Sequence, residues 1–423
     1  MIEIIDAVET VVRTIRTRKL QGARLNVLSD SSVVQLTLDY YLTDFYSDTL
    51  NETGVYVIKV IGRSVQEYCI LGVDGSSRRF STPYGSLVLA TVSLAYGPLP
   101  LLDYPPLGYE YPIRCELTQP FIATYEALGV QHKLIATKSS AGHSYESPPP
   151  LSGLERGSRG YTLAEIAHEI RTRLETLSLE IAMQKTEKRD LILLDGPLYQ
   201  RPWTRELQRN PYLKEDWKEL TKERVEVLEK SAWSSVAVVG SVKRLDKSRL
   251  LVSVHEELKR HLGLNFPQQD NDQAEAIQLI YHYVKNHNFS GSEPLLIGPF
   301  SMSPSERIRN EAGCAVPEII YSYVVVPSLP YTGNLDGACG VLRLEVLKEV
   351  YDREGLDVFF RALSEGIMQG LPLPPAQAFA DARCRQTSRV LFEYLCGAAL
   401  KEGVELTYDT WREYSHAGEE YAE

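Results

Sequence analysis

Two short apolar segments that each run into an Asp-Gly pair constrain this chain more than any other feature. The first, residues 70–75, ends in Asp74-Gly75, and the second, residues 191–196, ends in Asp195-Gly196. A short apolar run stopped by a glycine is typical of a buried β-strand that meets a turn. Because α/β folds collect ligands at the carboxyl edge of the sheet, the two aspartates predict a shared ligand site there. The alternative is an ordinary turn in which each Asp bonds its own backbone.

Segments of strand and helix character alternate along most of the chain. Strand patterns cover residues 87–96, 235–242, 318–326 and 339–346, and helical patterns cover residues 5–18, 162–183, 204–231, 250–262, 273–287, 350–368 and 376–400. This alternation predicts an α/β fold with a mixed sheet flanked by helices. Residues 32–47 fit either a helix or a strand, and the residues 97–120, rich in proline and tyrosine, predict an irregular excursion.

The composition is that of an ordinary globular protein, and it excludes some functions. Of the 423 residues, 43% are hydrophobic and 24% are charged, and the formal net charge is −11. An acidic total argues against coating nucleic acid through bulk charge, but it is compatible with carboxylates that hold metals. The six cysteines form no CxxC pair, and no apolar run approaches the ~20 residues of a membrane span. Because residues 1–18 lack a signal-peptide pattern, we expect a cytoplasmic protein with no membrane partner.

Carboxylates also lie between the two predicted strand ends. The helix predicted over residues 162–183 carries Glu165, Glu169, Glu175 and Glu180. Carboxylate oxygens are hard donors that suit Mn²⁺ or Mg²⁺. A pair of such ions about 4 Å apart can activate a water molecule and stabilise the leaving oxygen of a phosphodiester. The pattern therefore favours metal-dependent phosphodiester hydrolysis.

Several short motifs, in their order and spacing, resemble the NurA nuclease family. They are ILGVDGSSR (70–78), RTRLE (171–175), DLILLDGPL (190–198), VAVVGSVKR (236–244), SRLL (248–251), GVLRLEV (340–346) and GLPLPPAQAFADA (370–382). The resemblance covers a NurA-like domain at residues 66–400, with a loop insertion at residues 139–160. Residues 1–65 are then a partly helical amino-terminal extension, and residues 401–423 are a carboxy-terminal tail.

The resemblance implies both a fold and a function. It implies a ribonuclease-H-like α/β core and Mn²⁺-dependent (or Mg²⁺-dependent) cleavage of DNA. It further implies a homodimer that works with a HerA-type hexameric ATPase, in DNA end processing or in phage defence. The apolar face of residues 5–18 is a candidate docking surface for this partner, and packing on the protein's own core is the alternative.

By the same resemblance, three carboxylates match catalytic, metal-ligating positions of the family. Asp74 matches the ligand on the first strand, and Asp195 matches the ligand on a later strand. Glu175 matches the helix glutamate of an Arg-x-x-Leu-Glu pattern, with Glu169 and Glu180 as the alternatives. These positions define the predicted metal site.

The family motifs also contain basic residues that predict contacts with nucleic acid. Lys243 matches a lysine that could neutralise a phosphate, and the alternative is a solvent-facing lysine at a strand end. Arg78 and Arg244 belong to the same motifs as Asp74 and Lys243, and they complete the predicted nucleic-acid-binding set.

The last predicted helix departs from the family pattern. The family places a histidine or aspartate shortly after its proline pair, and counting from Pro374 this position holds Phe379. Asp381 is the candidate for the fourth metal-ligating, catalytic position if Pro375 marks a one-residue insertion. A helix turns about 200° between positions 379 and 381, so both side chains cannot face the metals. Phe379 is apolar and is expected against the core.

Two other functions are compatible with parts of the pattern. A degenerate nuclease fold could serve as a scaffold for a motor ATPase if the fourth ligand is absent. An actin-like ATPase also begins with an Asp-Gly at a strand end, but it needs a second glycine-rich phosphate loop before a helix. The candidate for that loop, residues 333–340, precedes a strand instead.

Overall fold

The computed structural model describes residues 2–20, 45–58, 68–106, 111–113, 121–128, 131–135, 144–145, 163–186, 190–199, 211–234, 236–327, 331–332, 339–367 and 373–419. Predictions for residues 32–44, for most of the loop 139–160 and for residues 333–338 lie outside these ranges. None of the described helices combines the length and the apolar character that a membrane span requires.

Eleven helices and fourteen strands form within the described residues. The helices are α1 (Ile2–Leu20), α2 (Leu163–Lys185), α3 (Pro211–Ser234), α4 (Leu250–Ser253), α5 (His255–Leu262), α6 (Asp272–His287), α7 (Glu306–Glu311), α8 (Lys348–Glu354), α9 (Asp357–Ala362), α10 (Pro375–Lys401) and α11 (Tyr408–Glu419). The strands are β1 (Phe45–Val57), β2 (Ile70–Thr82), β3 (Gly85–Tyr96), β4 (Leu99–Tyr104), β5 (Ile122–Leu128), β6 (Gln131–Ile135), β7 (Ser144–Tyr145), β8 (Leu191–Asp195), β9 (Ala237–Val242), β10 (Ser290–Gly291), β11 (Leu295–Pro304), β12 (Ile319–Pro327), β13 (Tyr331–Thr332) and β14 (Cys339–Leu347).

Twelve of these strands form one mixed sheet, in the order β1-β11-β12-β14-β9-β8-β2-β3-β5-β6-β7 with β4 beside β3. The central pairs β2–β8 and β8–β9 are parallel, and the other described pairs in this sheet are antiparallel. Leu191 to Leu194 of β8 are fully buried, as expected of a parallel strand that is covered on both faces. The predicted α/β fold with a mixed sheet flanked by helices is therefore confirmed.

β2 runs well past the glycine at which the sequence predicts its end. It continues to Thr82 because β3 pairs with it along almost its whole length. The backbone of Gly75 to Ser77 is thus bonded to β3 and forms no turn. The pairing of β2 with β8 does stop at Val73, so Asp74 lies where the parallel part of the sheet ends. The predicted strand end is wrong for β2, and it is confirmed for β8, which ends at Asp195.

Eight of the fourteen described strands escape the sequence patterns, and three of them show the physical reasons. β4 lies in a segment that the prolines and tyrosines predict to be irregular, so this prediction is wrong for residues 99–104. β1 is the outer strand of the sheet, and its exposed positions leave no clean alternation of apolar and polar residues. In β11, Gly298 and Pro299 interrupt the ladder, because the register shifts between Ile297 and Phe300. A glycine or proline inside a strand interrupts its sequence pattern, so the strand is not predicted from the sequence.

α1 buries its apolar face in the protein's own core. Val8, Val11, Val12 and Ile15 are all buried, and the helix packs near α10. The helix is predicted correctly, but the apolar face is covered within the chain. Packing of this face on the protein's own core is therefore confirmed, and the alternative of a docking surface for a partner is excluded.

α2 and α10 cover opposite faces of the central strands. Side chains alternate between the two faces along a strand, so Gly72 and Gly75 of β2 point in opposite directions. A Cβ at Gly72 would lie 2.2 Å from the carbonyl oxygen of Ala376 in α10. A Cβ at Gly75 would lie 2.8 Å from Oε1 of Glu175 in α2. The backbone of α10 thus approaches Gly72 so closely that only glycine fits, and α2 packs the side chains of Arg171 and Glu175 against Gly75.

We expect Gly72→Ala to lower the free energy of unfolding by about 1–3 kcal/mol, because α10 must move away from β2 to admit the methyl group. Gly397→Ala, on the same α10, is the matched control, since a Cβ there meets no atom within 4 Å. That substitution should raise the free energy of unfolding by up to about 1 kcal/mol through helix propensity. Chemical denaturation of both variants measures this, and equal stability of the two would contradict the close approach.

Candidate metal centre

Three aspartates converge at the end of the parallel strands. Carboxylate oxygens of Asp74, Asp195 and Asp381 all lie within 4.8 Å of one another. Asp74 is buried inside β2, Asp195 is the last residue of β8, and Asp381 lies in the second turn of α10. A cluster of carboxylates brought together from three elements is a suitable set of hard oxygen donors for Mg²⁺ or Mn²⁺.

The register of the sheet explains why Asp74 and Asp195 meet. Val73 pairs with Leu194 in the parallel ladder, so Asp74 and Asp195 occupy the next level on neighbouring strands. Residues at one level of a parallel pair point to the same face of the sheet. That face is covered by α10, which contributes Asp381. The two aspartates therefore lie on adjacent strands, as the repeated Asp-Gly pattern predicts.

A lysine lies among the three carboxylates. Nζ of Lys243, the residue that follows β9, is 2.8 Å from Oδ1 of Asp195 and 3.4 Å from Oδ1 of Asp381. The same Nζ is 3.7 Å from Oδ2 of Asp74. One ammonium among three ionised carboxylates leaves an excess of two negative charges. The centre is therefore still suited to a cation when Lys243 is present.

The pKa values of the centre reflect this crowding of like charges. Burial and repulsion by Asp195 hold the pKa of Asp74 well above its usual range, against an opposing effect of Lys243. Burial also acts to raise the pKa of Asp381, but a hydrogen bond with Asp74 and the charges of Lys243 and Arg385 lower it overall. For Lys243, burial disfavours the ammonium, yet the carboxylates of Asp195 and Asp74 raise its pKa. Asp74 is thus the group that resists ionisation most strongly.

One buried carboxylate oxygen of the centre has no hydrogen-bond donor among the described residues. Oδ2 of Asp74 is buried, lies 3.7 Å from Nζ of Lys243, beyond hydrogen-bond distance, and accepts no hydrogen bond from the described residues. A buried carboxylate oxygen normally finds hydrogen-bond donors or a metal. A divalent cation bound by the three aspartates would supply that partner, so the residues present fit such an ion.

Gln377 belongs to the centre, and sequence reasoning missed it. It is fully buried in α10, one helical turn before Asp381. Its Nε2 donates a hydrogen bond of 3.0 Å to Oδ1 of Asp195. The spacing of four residues from Asp381 is the one signal that could have placed it on the same helix face.

Two hydrogen bonds fix the turn that follows Asp195. Gly196 has a φ of +92°, a left-handed conformation that favours glycine, and its N–H donates to the carbonyl oxygen of Ser241 at 2.8 Å. The N–H of Leu198 donates to Oε2 of Glu345 at 3.2 Å. These bonds fix the chain direction immediately after Asp195.

Glu175 lies apart from the three aspartates. It reaches β2 from the α2 face, against Gly75. Its Oε2 is 3.3 Å from Nη2 of the fully buried Arg224, and its Oε1 is 3.6 Å from Nε of Arg171. Burial raises the pKa of Glu175 overall, the two arginines oppose this rise, and the charge of Asp195 adds to it. The structure therefore places Glu175 beside the strand that carries Asp74, on the opposite face of the sheet.

The two alternative glutamates of α2 lie in other surroundings. Glu169 is buried and pairs with Arg173 at 3.3 Å, and Glu180 is half-exposed and pairs with Lys230 at 3.3 Å. Among the three candidates, Glu175 is the one that contacts the glycine next to Asp74.

The orientation of α10 differs from the one that the apolar character of Phe379 predicts. The Phe379 ring is 38% exposed, so the expectation that it packs against the core is wrong. α10 instead buries the small side chains of Ala376 and Ala380 against the sheet, since its backbone approaches Gly72 too closely for a large ring. The same orientation turns Asp381 towards Asp74 and Asp195.

The other predicted basic residues lie at the margins of the centre. Arg78 is on β2, four residues past Asp74, and its Nη1 is 2.5 Å from Oε1 of Glu413 in α11. Its Nε also donates to Oγ of Ser388 at 3.3 Å. Arg244 is exposed and follows Lys243 directly.

We expect Asp74→Asn to raise the midpoint of thermal unfolding in the presence of a chelator at pH 7, because ionised Asp74 is penalised in the folded state. A raised folded-state pKa means that wild-type stability falls as the pH rises from about 4 to the raised value. The advantage of the variant should therefore vanish below about pH 4 and grow above it. Asp246→Asn, at an exposed position, is the control and should show no such trend. An Asp74→Asn variant that is less stable than wild type at pH 7 would contradict this charge balance.

The chain is similar to known proteins at the level of a family domain and of several solved structures. No curated protein matches the chain. Among solved structures, the NurA nuclease from Sulfolobus solfataricus is 13% identical with a TM-score of 0.39, and the match covers 84% of this chain and 91% of that one. A NurA structure with manganese is 10% identical with a TM-score of 0.38, covering 81% and 91%. A NurA structure bound to dAMP and manganese is 12% identical with a TM-score of 0.31, covering 79% and 89%. The NurA domain model matches residues 69–381, well over half of the sequence, and the chain therefore belongs to the NurA family.

Proposed function

We propose that this chain is a divalent-cation-dependent DNA nuclease that hydrolyses phosphodiester bonds. The observation that carries the proposal is the cluster of Asp74, Asp195 and Asp381, whose carboxylate oxygens lie within 4.8 Å of one another. Membership of the NurA family supports the same reaction. Mn²⁺ is the cation we propose first, because the sequence resemblance implies it, and Mg²⁺ is the alternative.

The three aspartates would hold the cation. When bound, such an ion supplies Lewis-acid stabilisation of a phosphoryl oxygen and lowers the pKa of a water nucleophile. Asp74 and Asp195 are fixed by the sheet and Asp381 by α10, so the donor set is rigid before any ligand arrives. Rigidity of this kind keeps a catalytic constellation in its productive geometry.

Lys243 is the residue we propose for contact with the scissile phosphate. Its ammonium is partly exposed and reaches all three carboxylates, so it lies at the point where the substrate's charge must be accommodated. DNA brings further negative charge to an acidic centre, and a local cation reduces that repulsion. Arg244, exposed and adjacent in the chain, extends the same basic edge along the DNA backbone. Arg78, which also pairs with Glu413, is the third residue that we propose for contact with DNA.

Glu175 is the helix carboxylate that we propose for the catalytic set. It reaches the strand of Asp74 at Gly75, where the missing side chain gives its carboxylate room. Arg224 and Arg171 orient it at 3.3 Å and 3.6 Å. The two arginines favour the ionised carboxylate, the form that a cation binds, although burial raises the pKa of Glu175 overall.

We further propose a ribonuclease-H-like core for the strands around β2 and β8, and a cytoplasmic homodimer that acts with a HerA-type hexameric ATPase. DNA end processing and phage defence are both compatible settings. The alternative is a scaffold of nuclease fold without activity, and the separation of Glu175 from the three aspartates is the observation that favours it.

Asp195→Asn and Asp381→Asn should each reduce Mn²⁺-dependent DNA cleavage by about 10²–10³-fold, the loss typical when one charge-stabilising group is removed from an active site. Both variants should recover part of their activity at high Mn²⁺, because two carboxylates remain in each. The control is Asp246→Asn, an exposed aspartate, which should retain wild-type activity. Cleavage of a labelled duplex and of a labelled single strand across a Mn²⁺ titration measures this. A wild-type protein that hydrolyses ATP but not DNA, or neither, would contradict the proposal.

The proposed assembly has its own test. Light scattering after size-exclusion chromatography should give twice the mass of the 47.7 kDa chain at micromolar concentration. Addition of a purified HerA-type hexamer should then shift the protein to a larger complex. A monomer that ignores the hexamer would exclude the proposed partnership while leaving the nuclease centre untouched.

A further inference from the structure

Buried oxygen atoms without hydrogen-bond partners gather around the three aspartates. Besides Oδ2 of Asp74, they include Oγ of Ser241 and Oε1 of Gln377. All three side chains are buried, and each orphan atom loses the hydrogen bonds that water would give it. Other buried polar atoms of the described residues also lack a hydrogen-bond partner, such as Oγ of Ser178, so the position of these three beside the aspartates, and not their rarity, points to a shared partner.

The position of Gln377 fixes the direction of its orphan oxygen. Its Nε2 donates to Oδ1 of Asp195 at 3.0 Å, and a carboxylate accepts hydrogen bonds but cannot donate them. The amide therefore cannot be turned over without placing two oxygens against each other. Oε1 of Gln377 is held inside the buried centre, one helical turn from Asp381.

Ser241 lies on β9, the strand that flanks β8 on the side away from β2. It is fully buried in β9 and pairs with Asp195 in the parallel ladder between β8 and β9. It occupies the same level as Asp195 on the neighbouring strand, so its hydroxyl points to the face that carries Asp74 and Asp195. Its Oγ has no hydrogen-bond partner.

Neutral oxygen donors suit this centre better than further carboxylates do. Mg²⁺ and Mn²⁺ take about six oxygen ligands, more than three aspartates provide through one atom each. An amide or hydroxyl oxygen adds a donor without adding to the excess of negative charge. The buried Gln377 and Ser241 have this chemistry.

We propose that Oε1 of Gln377 is a further oxygen donor of the cation site, with the hydroxyl of Ser241 beside it, an inference that rests on the proposed function. Gln377 then has two roles in one side chain. Its N–H orients Asp195, and its carbonyl oxygen faces the divalent ion. A purely structural glutamine would serve only to orient Asp195.

Two substitutions of Gln377 separate these roles, with Mn²⁺ affinity measured by calorimetry and thermal unfolding measured in a chelator. Gln377→Met keeps the approximate shape and removes the oxygen. It should weaken Mn²⁺ binding by about ten-fold or more without lowering the unfolding midpoint, because an orphan acceptor is also removed. Gln377→Glu keeps an oxygen donor and adds a charge. It should retain or increase Mn²⁺ affinity and lower the unfolding midpoint in the chelator.

Gln386→Met is the matched control, because Gln386 is an exposed glutamine on the same α10. It should leave both Mn²⁺ affinity and stability at their wild-type values. If Gln377→Met binds Mn²⁺ as wild type does, or if it loses affinity only together with stability, the proposal is overturned and Gln377 is structural. If Gln377→Met does not fold, loss of Mn²⁺ binding in Gln377→Glu overturns it equally. A wild-type protein that binds no Mn²⁺ would instead remove the proposed function itself.

Discussion

The parallel, in-register pairing of β2 with β8 is the constraint on which the candidate centre depends. It brings Asp74 and Asp195 to the same level on neighbouring strands, so two like charges are held together in a buried place where their repulsion is strong. The apolar ladder before them, fully buried in β8, supplies the driving force that keeps the strands paired. The raised pKa of Asp74 shows the free-energy cost of ionising a second carboxylate in this place. Lys243 and Gln377 offset part of it, and a divalent cation would offset the rest.

The close approach of α10 to β2 is the second constraint, and it decides which residues complete the centre. Gly72 lets the backbone at Ala376 come against the strand, which leaves no room for a large ring between the two at this point. Phe379 is therefore turned outward, and Gln377 and Asp381 are turned inward. α2 makes the corresponding approach from the other face at Gly75, where it brings Glu175. The glycines of the Gly72-Val73-Asp74-Gly75 segment thus admit one helix on each face of the aspartate strand.

The α/β class, most helices and the convergence of Asp74 with Asp195 could be predicted from the sequence, because a wholly apolar strand that ends in Asp-Gly is a local pattern. The extension of β2 to Thr82 could not be predicted. The sequence of this segment is typical of a turn, and only the backbone hydrogen bonds to β3 make it a strand. The exposure of Phe379 depends on how closely two elements pack, and periodicity carries no such information. Gln377 was missed for a related reason: a glutamine in a helix has no distinctive pattern until its neighbour Asp195, 182 positions away, is known.

We propose that Asp74, Asp195 and Asp381 bind one divalent cation between them. Crystals grown with Mn²⁺ test this directly, since anomalous scattering at the manganese absorption edge identifies and locates the ion. We expect an anomalous peak bonded to oxygens of all three aspartates, with Oδ2 of Asp74 among its ligands. A protein saturated with Mn²⁺ that shows no peak between these residues, or a peak only elsewhere in the chain, would contradict it.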